Sequence, residues 1–566
     1  MTSLLTDPVC LTHDVAAQEA VKKLAELEKD ALKITTEEMI HLLDAAQDTL
    51  KKAKNIADKF LDEMQIHLEQ CRKELNSHTD KCKKTLDEHT AKCTNAIDEH
   101  ISKTAESAYE QSCEDFLGRL IQFYMKTKNT VSVSPLWEGR DKTIWDVFVQ
   151  PKLSHLTIEK NGSRKKTDTV INQYKEIFYK DKKLNGRVFV QGEPGNGKST
   201  FLTKLALDWC EAVYLHTPGH KATFTDVDTF HKFKFLFHLS LRDATCQQHE
   251  VIEMIKTQII DMIYTGDKRE EVFNLLQRIM EKETCIVTLD GLNEWTYQMK
   301  TYVLPFMANC HTHCLLLIST RPWRMADERI KDSEIDTLLE IEGITDPEEL
   351  TKLIIISLQI GNDKTHDQFM KYVIEHQLMP FMTSPWLQTL LVSLWMNNKA
   401  LSCSLTEINC ILLDLLFKKA NAREGYFIEG TSIPCLFNTR YIKPHVDIFN
   451  SLAAVAFKLT YASIKSLVFT KCDLSSYMFK EQIEFCLNAG VLTQRYRPGK
   501  ASNDSQFSFV HETVQEFFAA FHIANSKEDI LSRVLLENKY DVLELSQSVI
   551  YLCGLDCEKA NKLIKH

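Results

Sequence analysis

The residues Gly192-Glu193-Pro194-Gly195-Asn196-Gly197-Lys198-Ser199-Thr200 combine three glycines, a cation and a hydroxyl at a spacing suited to phosphate. Backbone N–H groups wrap a phosphate only where no Cβ intrudes, which accounts for glycine at 192, 195 and 197. A helix beginning at this point adds partial positive charge. In this Walker A pattern the Lys198 ammonium reaches the β- and γ-phosphates and the Ser199 hydroxyl ligates Mg²⁺. The plain alternative is a glycine turn that binds nothing. It is disfavoured because the apolar run at 188–190 reads as a buried strand before the turn. An amphipathic helical run at 201–210 follows it, as the motif requires.

Two further clusters lie at the ends of apolar runs. Cys285-Ile-Val-Thr-Leu-Asp290 reads as a strand whose last residue is placed to hold Mg²⁺ opposite Ser199, directly or through water, as a Walker B aspartate does. Four residues on, Glu294 is placed to polarise an attacking water as a general base. Cys314-Leu-Leu-Leu-Ile-Ser-Thr320 reads as another strand, and the Arg321 guanidinium at its tip suits a γ-phosphate. Taken alone, these are a solvated acidic turn and an ordinary strand-end arginine. In register with the phosphate loop they point to nucleoside triphosphate chemistry.

The elements that must position these residues follow. Residues 231–241 pass from alternating to fully apolar and read as a second strand, with a helical stretch over 251–263. Strands alternating with helices predict a parallel α/β sheet. Residues 145–153 read as a short strand leading into it. From about 345 to 566 the pattern is almost wholly helical, except for a loop near 432–438 and a short hairpin at 491–510. No leucine-rich, ankyrin or WD repeat is visible.

Residues 14–128 read as continuous helix, with no proline between Pro8 and Pro135 and no glycine before Gly118. Apolar residues recur at threes and fours through Ala46, Leu50, Ala53, Ala57, Phe60, Met64 and Leu68. An 11-residue repeat follows, with Cys71, Leu75 and His78 recurring as Cys82, Leu86, His89 and then Cys93, Ile97, His100. That period is about 3.67 residues per turn, a nearly straight stripe. It places His67/Cys71, His78/Cys82 and His89/Cys93 on one face, a start on a Zn²⁺ shell. A soft packing stripe is the preferred reading, because each pair supplies only two of the four ligands that structural zinc takes. Histidines on the stripe would also make self-association pH-sensitive.

Composition bounds the function. The chain has 566 residues, 44% of them hydrophobic, enough for several ordinary globular domains. A net charge of −10 speaks against a general nucleic-acid binder, and no specific nucleic acid is expected. Seventeen cysteines, scattered and odd in number, suit a reducing compartment. The N-terminus has no basic region or apolar core of a signal peptide, and no run approaches the ~20 apolar residues of a membrane span. A cytoplasmic protein is expected.

The three motifs, in their order, resemble the NACHT family of signal-transduction ATPases found in animal NOD-like immune receptors. Thr383-Ser384-Pro385-Trp-Leu resembles the family's helical-domain motif, whose proline packs against adenine. Phe507-Ser-Phe-Val510-His511-Glu-Thr-Val-Gln515-Glu516-Phe517 resembles its winged-helix motif, whose histidine contacts the β-phosphate of ADP. On their own, Pro385 would be a helix start and His511 a core histidine. The resemblance implies an α/β P-loop NTPase with ATP/ADP and Mg²⁺ as cofactors, slow hydrolysis, and a switch. ADP ties the winged helix to the ATPase core through His511; exchange for ATP frees surfaces for homo-oligomerisation. Asn293 stands where the family often has aspartate, which implies hydrolysis reduced at most.

The expected division is a helical, coiled-coil region over 1–128 and a linker over 129–144. The nucleotide-binding domain spans 145–343, a helical domain 344–440, a winged helix 441–526, and the start of a second helical domain 527–566. Residues 1–128 resemble no known effector domain and are expected to contact an unidentified protein partner. A chain without the family's C-terminal repeat sensor is expected. Two other functions compete: a constitutive ATPase, and a coiled-coil scaffold with a structural nucleotide domain.

Overall fold

The computed structural model describes residues 54–565 and scattered positions between 22 and 40. Outside the description lie 138, 160–163, 215–221, 246, 296–301, 326, 328, 359–363, 402–403, 422–435, 437–438, 462–465, 496–505, 527–529 and 531–544. The chain divides between Ala108 and Tyr109 into two units. The loop expected near 432–438 falls almost wholly outside the described residues.

Helix α1, Lys54–Thr127, is continuous over 74 residues, as a run rich in Ala, Lys, Glu and Leu and free of proline would be. In the first unit its repeat leaves a half-buried stripe through Leu75, Cys82, Leu86, Cys93 and Ile97. Thr79 and Thr90 donate back to the carbonyls of Leu75 and Leu86 at 2.9 and 2.8 Å. His89 Nδ1 lies 3.5 Å from Cys93 Sγ. Among the described residues no three His, Cys, Asp or Glu side chains gather to hold a metal, and no helix is long and apolar enough to cross a membrane.

The second unit starts with the last turns of α1, which are built into its core: Cys113, Phe116, Leu120 and Tyr124 are all fully buried. The Tyr124 hydroxyl donates to Leu236 O at 3.2 Å and accepts from His238 N at 2.8 Å. Seven strands form the main sheet: β1 Pro151–Ile158, β2 Arg164–Val170, β3 Arg187–Gln191, β4 Phe235–Ser240, β5 Cys285–Asp290, β6 Cys314–Thr320 and β7 Thr337–Ile344. Their order is β2-β1-β7-β3-β6-β5-β4. The five strands from β7 to β4 run parallel, with Leu317 opposite Val188 and Leu316 opposite Val287. The expected parallel sheet is therefore present, and β3, which feeds the phosphate loop, lies in its middle, between β7 and β6. Strands β1 and β2 add an antiparallel pair at one edge.

Three local expectations are corrected. Residues 145–153 are not one strand: Ile144–Val147 is a helical turn, and β1 begins at Pro151. Ile144 and Val147 are both buried, and a spacing of three puts both on one side only in a helix. The strand read from 231 starts at Phe235, because Val227–Lys232 coils into a 3₁₀ turn that buries Phe230. Helix α2, Lys198–Tyr214, is buried nearly all round rather than on one face. Its charged residues Lys204 and Asp208 lie one turn apart and pair with each other. Asp208 also accepts from the Tyr174 hydroxyl, and from Thr223 N at 3.0 Å and Thr223 Oγ1 at 2.8 Å. A buried charge satisfied in this way is tolerated.

Beyond the sheet come helices α3 Pro347–Leu358, α4 Pro385–Met396, α5 Leu405–Ala420, α6 Val446–Tyr461 and α7 Lys480–Ala489. The expected hairpin follows as β8 Leu492–Arg495 and β9 Gln506–Phe509, paired antiparallel with Thr493 opposite Ser508. Helix α8 is Glu512–Asn525. Buried side chains form two clusters. One surrounds the sheet, and the other joins the helices after β7 to the β8–β9 hairpin and α8.

Candidate nucleotide-binding site

A cavity of about 320 Å³ opens where these two clusters meet. Its floor is the phosphate loop: Pro194, Gly195, Gly197, Lys198, Ser199 and Thr200 line it. Gly195 and Gly197 adopt φ of +80° and +93°, the left-handed region that favours glycine. At Gly195 there is also no room, since a Cβ would stand 2.8 Å from Trp386 Cβ and 3.0 Å from Ser384 Oγ. The other loop residues face the sheet or solvent. Gly192 N–H donates to Thr320 O at 3.2 Å, Asn196 Nδ2 donates to Ile341 O at 3.3 Å, and Glu193 is exposed. Lys198 Nζ donates to the carbonyls of Gly192 and Glu193 at 2.7 and 2.9 Å. Burial, reinforced by the neighbouring Arg321, pushes its ammonium down to about 8.

One wall is made by strand ends. Asp290 closes β5 and accepts from Ser319 Oγ at 2.6 Å, while Ser319 Oγ accepts from Gly291 N at 2.8 Å. Glu294 is held by Arg242, whose Nε and Nη2 donate to its two carboxylate oxygens at 2.7 and 3.2 Å. Burial pushes the Glu294 carboxyl up to about 7, against the opposing pull of Arg242. Arg321, 4% exposed at the tip of β6, pairs with two carboxylates of α8. Nη2 lies 2.5 Å from Glu512 and Nη1 lies 2.8 Å from Glu516.

The opposite wall comes from the later helices. Pro385 stands at the first turn of α4, where its missing N–H costs nothing, and its Cγ would lie 3.8 Å from a Cβ added at Gly197. Ser384 Oγ and Trp386 N donate to Gly195 O at 3.2 and 3.3 Å, seating α4 on the phosphate loop. His511 caps α8 and stacks on Trp386 with ring centroids 4.0 Å apart and planes at 6°. Thr513 N–H donates to His511 Nδ1 at 3.2 Å. A backbone amide can only donate, so Nδ1 is the acceptor and Nε2 carries the hydrogen of the neutral ring. Burial pushes His511 down to about 3.

The sequence-predicted residues Lys198, Ser199, Asp290, Glu294, Arg321, Pro385 and His511 thus share one cavity. Three lining residues had no assigned role, Arg242, Trp386 and Glu512, nor had Glu516, which pairs with Arg321 from outside the cavity. Trp386, Glu512 and Glu516 lie inside the segments quoted above. Arg242 follows β4 in a run with no distinguishing spacing.

The donor set suits a nucleotide with Mg²⁺. A hydroxyl (Ser199) and a carboxylate (Asp290) are hard oxygen ligands facing the same space, and Lys198 and Arg321 supply charge for phosphate. Among known proteins, residues 186–353 match the family model for the NACHT domain. No curated protein sequence matches. Two solved structures are similar at low identity. Cdc6p from Pyrobaculum aerophilum is 12% identical, with 62% of this chain and 88% of that one covered and a TM-score of 0.22. The Orc1 protein of Aeropyrum pernix, solved in complex with DNA, is 10% identical, with 64% and 89% covered and a TM-score of 0.26. A central parallel sheet, a phosphate loop at the end of its middle strand, and the matched segment together place a NACHT domain, a P-loop NTPase module, in this chain.

Proposed function

We propose that the chain is an ATP/ADP-dependent switch that self-associates when ATP replaces ADP. The observation that carries this reading is the two-sided cavity. Loop and strand-end residues of the sheet face Pro385, Trp386 and His511 of the later helices across one space. A ligand held between two bodies biases their arrangement by its differential affinity for the closed and open forms. Bound Mg²⁺, held by Ser199 and Asp290, would neutralise phosphate charge. Lys198 orients the β- and γ-phosphates, Pro385 packs on the base, and the Nε2–H of His511 donates to the β-phosphate in the closed form only. Glu294, whose carboxyl burial pushes up to about 7 while Arg242 favours its ionised form, accepts a proton from water in slow hydrolysis. The resemblance to NOD-like receptors extends the reading to innate immune or cell-death signalling in the cytoplasm. There the helices before Ala108 would recruit a protein partner.

The test is the identity of the nucleotide that co-purifies with the full chain, with molar mass measured with and without ATP. ADP in a monomer that assembles on ATP is expected. Lys198→Ala is expected to abolish nucleotide binding, and retained ADP in that variant would overturn the site.

A further inference from the structure

The first residue of α8 carries a charge that a simple tie between two bodies does not need. Glu516, one turn further along, already pairs with Arg321 and stands outside the nucleotide cavity. Glu512 is a second carboxylate on the same guanidinium, and it lines the cavity beside Lys198, Ser199 and Asp290. Burial works against its ionisation. The cations that overcome burial and hold it below the usual carboxylate range are Arg321, then Arg242 and Lys198. Arg321 and Lys198 are the groups to which the sequence assigns a γ-phosphate. A carboxylate and a terminal phosphate are both compact oxyanions, and both take the fork of an arginine. Arg321 already balances the two carboxylates Glu512 and Glu516, so a terminal phosphate added beside them brings uncompensated negative charge, and like charges a few ångströms apart in a buried site repel strongly.

We propose that Glu512 stands in for the terminal phosphate, so that the closed arrangement accepts a nucleoside diphosphate and excludes a triphosphate until α8 withdraws its carboxylate. The inference rests on the nucleotide-site reading above and names the residue that makes the site choose. Ejecting Glu512 from Arg321 also loosens α8, which couples the chemical identity of the nucleotide to the position of the winged helix.

The experiment titrates the full chain, stripped of nucleotide, with Mg²⁺ and either ADP or the β,γ-methylene analogue of ATP. Wild type should prefer ADP by roughly tenfold or more. Glu512→Gln should tighten the triphosphate analogue by roughly tenfold relative to ADP. Glu516→Gln should lower the melting temperature but leave the ADP preference in place, separating discrimination from mere attachment. Should Glu512→Gln fail to fold, Glu512→Asp keeps the charge and draws it back by one methylene. It should then narrow the preference by a smaller factor. A wild-type chain that binds neither nucleotide overturns the nucleotide site itself. Binding of both, with a ratio unmoved in Glu512→Gln or Glu512→Asp, overturns the role of Glu512 alone.

Discussion

His511 is a neutral ring in this structure. Burial holds it down to about 3, opposed by Glu512 and assisted by Arg242, Arg321 and Lys198. In the unfolded chain the same imidazole takes a proton near its ordinary 6.5. Below that pH the unfolded chain binds more protons than the folded one, so stability falls as pH drops from about 6.5 towards 3. The slope is at most about 1.4 kcal/mol per pH unit. Denaturant midpoints at pH 7 and pH 5.5 should therefore separate in wild type and draw together in His511→Asn. Residues whose chemistry depends on local spacing were legible in the sequence: Lys198, Ser199 and Asp290 sit where strand, turn and helix must put them. Arg242 was not, because its meaning lies in Glu294, which tertiary structure brings to it from the end of another strand.

At the level of elements, the phosphate loop and α4 meet in a close joint. Gly195 has both a positive φ and a neighbour within 2.8 Å of any added Cβ. Gly195→Ala should cost about 1–3 kcal/mol for the backbone alone. It should also lift Trp386 off the loop, weakening ADP binding as well as lowering the melting temperature. Both are measurable on one preparation. The buried strands β3, β5 and β6 were legible because they are short apolar runs. Strand β2, Arg-Lys-Lys-Thr-Asp-Thr-Val, was not, since its charged side chains belong to a sheet edge and erase the alternation that marks a strand. From Leu339 on, strand β7 alternates buried and half-buried residues, a readable signal, although it lies next to a boundary assigned to helix.

For the molecule as a whole, the sheet and the later helices keep separate apolar cores. Around the phosphate loop, what joins them is polar: Arg321 with Glu512 and Glu516, and the hydrogen bonds of Ser384 and Trp386 to Gly195. Polar seams separate at less cost than apolar ones, as two-state movement requires. Every wall of the cavity falls within the unit from Tyr109 onwards. A chain lacking residues 1–104 should therefore bind ADP within about threefold of the full chain. Under the proposed function, its molar mass should no longer rise with ATP.

The stack of Trp386 on His511 makes the closed form visible to light. An indole in face-to-face contact with a neighbouring ring has a different excited-state lifetime from one exposed to water. These two rings belong to α4 and the start of α8, so parting them changes the signal at a single spot. Six other tryptophans add a background that the nucleotide cavity does not touch. The difference in emission between ADP and ATP samples should therefore reside in Trp386, and should vanish in Trp386→Phe while the rest of the spectrum stays. Under the proposed function, the chain carries its own optical gauge of the switch, without an attached dye.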